Sequence, residues 1–115
     1  MRAVQVLTTT GPSDIVVTEV ADPVAAPGQV LVEVHSVGIS FPDLLLSRGE
    51  YQLRPEPPFT LGVDFAGVVV SGDGFAPGQR VAGVGAYGGA AELVVGSTEN
   101  VFALPDAISF DEAVA

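Results

Sequence analysis

The stretch LRPEPPFTLGVDFAGVVVSGDG, residues 53–74, decides the fold of this chain. Three of the four residues 55–58 are prolines, which restrict the backbone to an extended approach. Gly62 and Gly67 follow, and a residue without a Cβ allows another part of the chain to come close. The valines at 68–70 predict a buried β-strand, because β-branched residues favour strands. Such glycines form either the corners of a barrel or the floor of a ligand cleft, and their spacing favours corners.

Short alternating or β-branched segments continue on both sides of this stretch. They predict about seven strands, at residues 2–7, 15–20, 30–35, 65–71, 80–84, 92–95 and 101–104. One short helix is predicted from Pro42 to Arg48, with Ser40 as its N-cap and Gly49 as its C-terminal stop. Short, evenly spaced strands with a single helix indicate a mainly β fold, a barrel or sandwich, rather than a parallel α/β sheet.

Composition excludes several classes of function. A chain of 115 residues with 48% hydrophobic content is long enough to bury one hydrophobic core. It contains no cysteine, which excludes disulfide bonds, thiolate nucleophiles and cysteine-ligated zinc. Fourteen acidic residues face four arginines and no lysine, giving a net charge of −10, which disfavours binding to nucleic acid or anionic membranes. The sequence contains neither an apolar run of membrane-spanning length nor a secretory signal, so a cytoplasmic protein is expected.

The single histidine offers little support for catalysis or metal binding. His35 ends the alternating segment 30–35 and has no cysteine or second histidine to join it. A histidine-based triad also requires a nucleophile and an orienting acid. A structural or solvent-facing histidine is therefore favoured, and no metal site is predicted.

Several segments resemble, in order, the motifs of one enzyme superfamily. They are GISFPDLL at 38–45, RGEY at 48–51, GVDFAGVV at 62–69, PGQRV at 77–81, GGAAE at 88–92 and LP at 104–105. This series resembles the medium-chain dehydrogenase/reductase superfamily, in the form found in zinc-independent quinone oxidoreductases. The resemblance implies a GroES-like fold, a partly open β-barrel with one or two short helices.

The resemblance also implies a chemistry and a site. Members of this type transfer hydride from NADPH to a small-molecule acceptor, a quinone or a conjugated enone. If the matching residues have the same roles as in the family, Ser40, Phe41 and Asp43 would lie beside the cofactor. Tyr51 would then be the catalytic candidate, with its hydroxyl hydrogen-bonded to the oxygen of the acceptor. Zinc-dependent relatives carry cysteine at the position of Ser40 and histidine at that of Val63, so no zinc is expected here. NADPH is the cofactor that the resemblance implies. Ser40 also replaces the usual asparagine.

Simpler roles remain open for the same residues. Asp43 could serve only to cap the short helix. Tyr51 could pack over the neighbouring prolines. Phe41 and Phe65 are interpreted as core residues rather than substrate contacts. Asp64 could pair with an arginine or accept hydrogen bonds from backbone amides.

The last residues predict the start of a second helix. Ser109 and Glu112 have the spacing of a capping box. In the resembling family this helix leads to a Rossmann cofactor domain, and no Gly-x-Gly-x-x-Gly motif is present here. Residues 1–108 are thus expected to be the GroES-like substrate-side domain, and residues 109–115 the start of that helix. The chain alone would be inactive, and the complete enzyme a homodimer. A naturally short protein, an enoyl-thioester reductase module and a non-catalytic binding domain are the alternatives.

Overall fold

Eight β-strands and two short helices make up the computed structural model, which describes residues Met1–Ala115. The strands are β1 (Arg2–Val6), β2 (Ile15–Glu19), β3 (Gln29–Gly38), β4 (Phe59–Thr60), β5 (Asp64–Gly72), β6 (Arg80–Val84), β7 (Leu93–Ser97) and β8 (Val101–Ala103). The helices are α1 (Phe41–Arg48) and α2 (Phe110–Ala113). All seven predicted strands are present, and the two-residue β4 is the addition. Neither helix has the length and hydrophobicity needed to cross a bilayer.

The strands form two antiparallel sheets that share one seam. The smaller sheet has the order β2-β1-β4, and the larger has the order β7-β3-β5-β6-β8. At this seam, the backbone amide of Val34 donates to the carbonyl oxygen of Glu92 at 3.0 Å. The backbone amide of Glu92 donates to the carbonyl oxygen of Arg2 at 3.1 Å. This segment also pairs Ala91 with Ala3. The result is a curled, partly open barrel, which confirms the predicted fold class.

Gly62 and Gly67 lie where two backbones approach closely. Gly67 pairs with Val34 beside a bulge in β3. A Cβ at Gly67 would overlap the carbonyl oxygen of Glu33 and lie 2.9 Å from its carbonyl carbon. Gly62 has a φ of +103°, and a Cβ there would overlap the amide nitrogen of Ala90. Both glycines therefore lie where backbone approaches closely, and Gly67 does so within β5, between β3 and β6, rather than at a corner.

The apolar side chains form two buried clusters. The first fills the larger sheet and comprises Val30, Val32, Phe65, Val69, Val81, Val94 and Val101. The second joins α1 to the smaller sheet and comprises Val6, Leu46, Phe59, Leu61 and Ala90. Phe65 is buried, as predicted.

The prediction that Phe41 belongs to the core is wrong, because its side chain is 67% exposed. Helix α1 buries one face, that of Asp43, Leu46 and Ser47. With about 3.6 residues per turn, Phe41 lies two positions before Asp43, on the opposite side of the helix. Apolar character alone does not reveal which face of so short a helix is buried.

Arg80, at the start of β6, binds the C-terminal segment and holds it against the larger sheet. Its two terminal nitrogens donate to the carbonyl oxygens of Pro105 at 2.9 Å and Ile108 at 2.7 Å. Its guanidinium carbon also lies 4.5 Å from the centre of the Phe110 ring. Immediately after these contacts Ser109 caps α2, and the predicted capping box is confirmed by reciprocal 3.0 Å bonds with Glu112.

We expect Arg80→Ala to loosen residues 104–114 and to lower the free energy of unfolding by about 1–2 kcal/mol. The substitution removes two hydrogen bonds and one cation–π contact. Limited proteolysis and amide hydrogen exchange in this segment provide the measurement. Arg54→Ala is the matched control, because Arg54 makes one exposed 3.4 Å contact. Equal protease sensitivity of the two variants would contradict the prediction.

Candidate functional site

The beginning of α1 is held by one buried carboxylate. Asp43 is 2% exposed, and its Oδ2 accepts a hydrogen bond of 2.9 Å from the amide of Ser40. Its Oδ1 accepts a bond of the same length from the amide of Gly62. The helix ends at Gly49, whose φ of +67° is the left-handed conformation predicted for the stop. Asp43 therefore caps α1, which confirms the capping role considered from the sequence. It also connects α1 to the segment before β5 through Gly62.

Apolar side chains next to this cap face outward. Ile39 is 68% exposed and Phe41 67% exposed. The strand register places Val84, which is 45% exposed, at the same end of the larger sheet, because Asp64 pairs with both Gly38 and Val84. Asp64 itself makes none of the predicted ion pairs or hydrogen bonds with amides. This end of the sheet presents exposed apolar groups of the kind that mark binding surfaces.

Tyr51 follows α1 and packs against the second core cluster. Its ring contacts that cluster, which includes Leu61, and is partly buried rather than resting only on prolines. The Tyr51 carbonyl accepts a bond from Arg54, whereas the phenolic hydroxyl has no partner within the chain. That hydroxyl is free to donate to a ligand.

A cavity of about 160 Å³ lies between α1 and the turn before β2. It is lined by Pro12, Ile15, Ile39, Ser40, Asp43, Leu44, Ser47 and Leu61. The structure thus brings Ser40 and Asp43 together, with Phe41 beside them on α1, whereas Tyr51 packs against the second core cluster and does not line the cavity. Ile39 and Leu44 belong to the motif at 38–45, whose segment from Ile39 to Leu44 the family resemblance predicts to line the substrate cleft. No sequence signal links Pro12, Ile15, Ser47 or Leu61 to α1.

His35 has a structural environment. Its Nε2 lies 3.2 Å from Oε1 of Glu33, and its ring centre is 4.8 Å from that of Phe110. The side chain is 41% exposed. This agrees with the structural or solvent-facing placement expected from the sequence. No group of three or more histidine, cysteine, aspartate or glutamate side chains converges anywhere in the chain.

Three ionisable groups have shifted pKa values, and none of them belongs to α1. The backbone amide of Arg2 lowers the pKa of Glu92, and the backbone amide of Ser109 lowers that of Glu112. A hydrogen bond to Asp22 raises the pKa of the Met1 amino group. None of these three groups lines the cavity beside α1.

Glu112 makes the C-terminal cap dependent on pH. Because its folded-state pKa lies below the ordinary value of 4.5, its contribution to folding is present above pH 4.5 and is lost as the pH falls through the folded pKa. We expect the Ser109 amide resonance to titrate with a midpoint below 4.5 and Glu112→Gln to abolish that titration. Glu99→Gln, an exposed glutamate outside the box, is the control. A midpoint at or above the ordinary value would contradict the prediction.

The fold and the arrangement at α1 define a class of protein. A model of the alcohol dehydrogenase GroES-like domain family matches residues 26–106. The chain belongs to this family. Its relatives are quinone oxidoreductases of the medium-chain dehydrogenase/reductase superfamily.

Comparison with individual proteins supports this assignment. The chain is 36% identical to quinone oxidoreductase-like protein 2 of Bos taurus, over 88% of this chain and 30% of the relative. It is 33% identical to quinone oxidoreductase of Homo sapiens, over 100% of this chain and 37% of the relative. The chain therefore spans about a third of the length of these curated relatives.

Solved structures show the same similarity. A probable oxidoreductase from Mycobacterium abscessus superimposes with a TM-score of 0.95 at 42% identity, over 99% of this chain and 37% of the other. The quinone oxidoreductase from Thermus thermophilus, solved also in complex with NADPH, gives a TM-score of 0.85 at 32% identity. That match covers 99% of this chain and 36% of the other.

Proposed function

We propose that this chain is the substrate-side domain of an NADPH-dependent oxidoreductase that transfers hydride to a quinone or conjugated enone without zinc. In this proposal residues 1–108 form the domain, and residues 109–115 begin the helix that leads to a Rossmann cofactor domain. The single observation that carries the proposal is the start of α1. There a hydroxyl, an exposed aromatic ring and a buried carboxylate are organised next to an apolar cavity, in a chain whose relatives are quinone oxidoreductases.

Three residues at the start of α1 would hold the nicotinamide end of the cofactor. Ser40 is exposed and is the N-cap of α1, and its hydroxyl lies 3.4 Å from Oδ2 of Asp43. Because that hydrogen bond is long, the hydroxyl can turn to a ligand. Phe41 offers an exposed ring surface on which a flat ring can pack. Asp43 would act indirectly, by fixing the position of Ser40. Bound NADPH would supply the hydride.

Tyr51 would orient the acceptor. Its ring is held by the second core cluster while its hydroxyl remains without a partner in the chain. A donor fixed in this way can bind the acceptor carbonyl and stabilise the negative charge that develops on its oxygen during hydride transfer. The residues present also fit chemistry without zinc. Ser40 and Val63 occupy the positions at which zinc-dependent relatives carry their cysteine and histidine ligands.

The first test is the intact mass of the protein as its source cell produces it. A mass more than about twice the 11.7 kDa of this chain supports a two-domain enzyme. A mass equal to that of this chain would overturn the proposal in favour of a free-standing binding domain. The second test is NADPH oxidation by the full-length protein, in the presence of a metal chelator, with a quinone and with an enoyl thioester.

We expect quinone or enone reduction that is insensitive to the chelator and absent from the 115-residue chain alone. Tyr51→Phe should lower kcat/KM by about tenfold, because it removes one hydrogen bond to the transition state. Tyr87→Phe is the matched control, since Tyr87 is an exposed tyrosine that packs edge-on against Phe59 and does not line the cavity beside α1. Faster reduction of the thioester than of the quinone would replace the proposal with the enoyl reductase alternative.

A further inference from the structure

The cavity beside α1 presents almost no free polar atom, although three of its lining residues are polar. The Asp43 carboxylate is occupied by the amides of Ser40 and Gly62, each at 2.9 Å. The Ser47 hydroxyl donates to the carbonyl oxygen of Leu44 at 2.7 Å. The side chains of Asp43 and Ser47 are both buried. Their polar atoms are satisfied inside the protein, so the cavity has no partner for an ion or a strongly hydrated group.

The remaining walls are hydrocarbon. They are formed by Pro12, Ile15, Leu44, Leu61 and the exposed Ile39. The volume of about 160 Å³ is close to that of an enclosed apolar cavity that binds benzene, about 150 Å³, although this one is partly open to solvent. A single six-membered ring with a short substituent therefore matches the space.

The other depressions on the chain fit a ligand less well. Three hollows of about 300, 230 and 350 Å³ are more open to solvent. In the first, the charged groups of Arg2 and Glu92 pair with each other at 3.4 Å. In the third, the carboxylate of Asp73 is bound to the amide of Gly28. Only the cavity beside α1 combines an apolar interior with residues of the proposed site.

We propose that this cavity binds the hydrocarbon part of the acceptor, a single unfused ring, while the acceptor carbonyl lies outside the cavity, at its rim. This inference rests on the proposed function and narrows its substrate class to monocyclic enones, because a para-quinone in the same position would bury its second carbonyl without a hydrogen-bond donor. The carbonyl remains at the rim because the interior has no hydrogen-bond donor for it. The nicotinamide ring is excluded from the interior for the same reason, since its carboxamide would lose its hydrogen bonds.

The isoleucines provide built-in probes. The sequence contains three, Ile15, Ile39 and Ile108. Two line the cavity, and Ile108 lies at the C-terminal segment held by Arg80. With isoleucine δ1-methyl labelling of the 115-residue chain, toluene serves as a probe for one hydrocarbon ring. We expect saturable shifts of the Ile15 and Ile39 methyl resonances and a stationary Ile108 resonance.

Two variants on the same helix sharpen this experiment. Leu44→Phe fills the cavity and should weaken toluene binding at least about tenfold. Leu45→Phe introduces the same change at a neighbouring position that does not line the cavity, and it should bind toluene as the unaltered chain does. An unchanged Ile108 resonance in both variants shows that they remain folded.

Several results would overturn the inference. They are the absence of methyl shifts, an equal shift of Ile108, equal toluene affinity in the two variants, and a stronger response to nicotinamide than to toluene. None of these measurements depends on hydride transfer. Toluene binding combined with an inactive full-length protein would therefore refute the proposed function alone, whereas quinone reduction without toluene binding would refute only this inference.

Discussion

Replacing Gly67 with alanine is expected to destabilise the chain by about 3–5 kcal/mol, a large part of the stability of a small domain. The added methyl group would overlap the carbonyl oxygen of Glu33 and approach its carbonyl carbon to 2.9 Å. Both atoms belong to the backbone of β3, so a side-chain rotation cannot relieve the overlap. Strands β3 and β5 would have to separate at the centre of the larger sheet.

Thermal unfolding measures this effect, and a loss of this size lowers the midpoint by roughly 10–20 °C. Gly85→Ala is the matched control. Gly85 has no positive φ, and its added Cβ would meet only the Tyr87 carbonyl oxygen at 3.6 Å, an ordinary contact. We expect a change within about 0.5 kcal/mol for the control. A Gly67→Ala midpoint within a few degrees of that of Gly85→Ala would show that β3 can move aside.

Replacing Asp43 with alanine is expected to cost about 2–4 kcal/mol, because the amides of Ser40 and Gly62 both lose their acceptor. The Gly62 bond is buried, so water cannot readily replace it. Asp43→Asn keeps one acceptor oxygen but turns an NH₂ group towards the other amide. It should therefore lose less stability than Asp43→Ala and should not restore the unaltered value.

Urea unfolding of the two variants provides the measurement. Asp106→Ala is the control, because Asp106 is exposed and its carboxylate accepts no hydrogen bond. Faster amide exchange at Ser40 and Gly62 in Asp43→Ala would locate the loss at the start of α1. A stability loss no greater than that of the control would refute the view that this carboxylate holds α1 against the segment before β5.

Local interactions explain why much of the fold could be predicted. The stop of α1 at Gly49 and the capping box of Ser109 and Glu112 involve contacts within about four residues. Strand alternation is likewise visible within a few positions, and seven of the eight strands were predicted from it. Strand β4 has two residues and was missed, because it becomes a strand only through its pairing with β1.

The same distinction applies to the candidate site. The motif at 38–45 predicted Ser40, Phe41 and Asp43 beside the cofactor, and this role stays a prediction. The cap role of Asp43, one of the predicted possibilities, is confirmed. The exposure of Phe41 could not be predicted from its apolar character, because α1 could have docked on either face. Pro12, Ile15 and Leu61 were missed as well, since only the folding of β1 and β2 brings them to α1.

By itself, the sequence determined the mainly β fold class, the ends of α1, the close backbone approach at Gly62 and Gly67, and the family, since each depends on short-range backbone preferences or on the order of motifs along the chain. Tertiary structure alone decided that Asp43 reaches Gly62, nineteen residues away, and that an apolar cavity forms next to Ser40. The physical reason is that close packing between distant segments depends on how whole strands and helices meet, which no local pattern specifies.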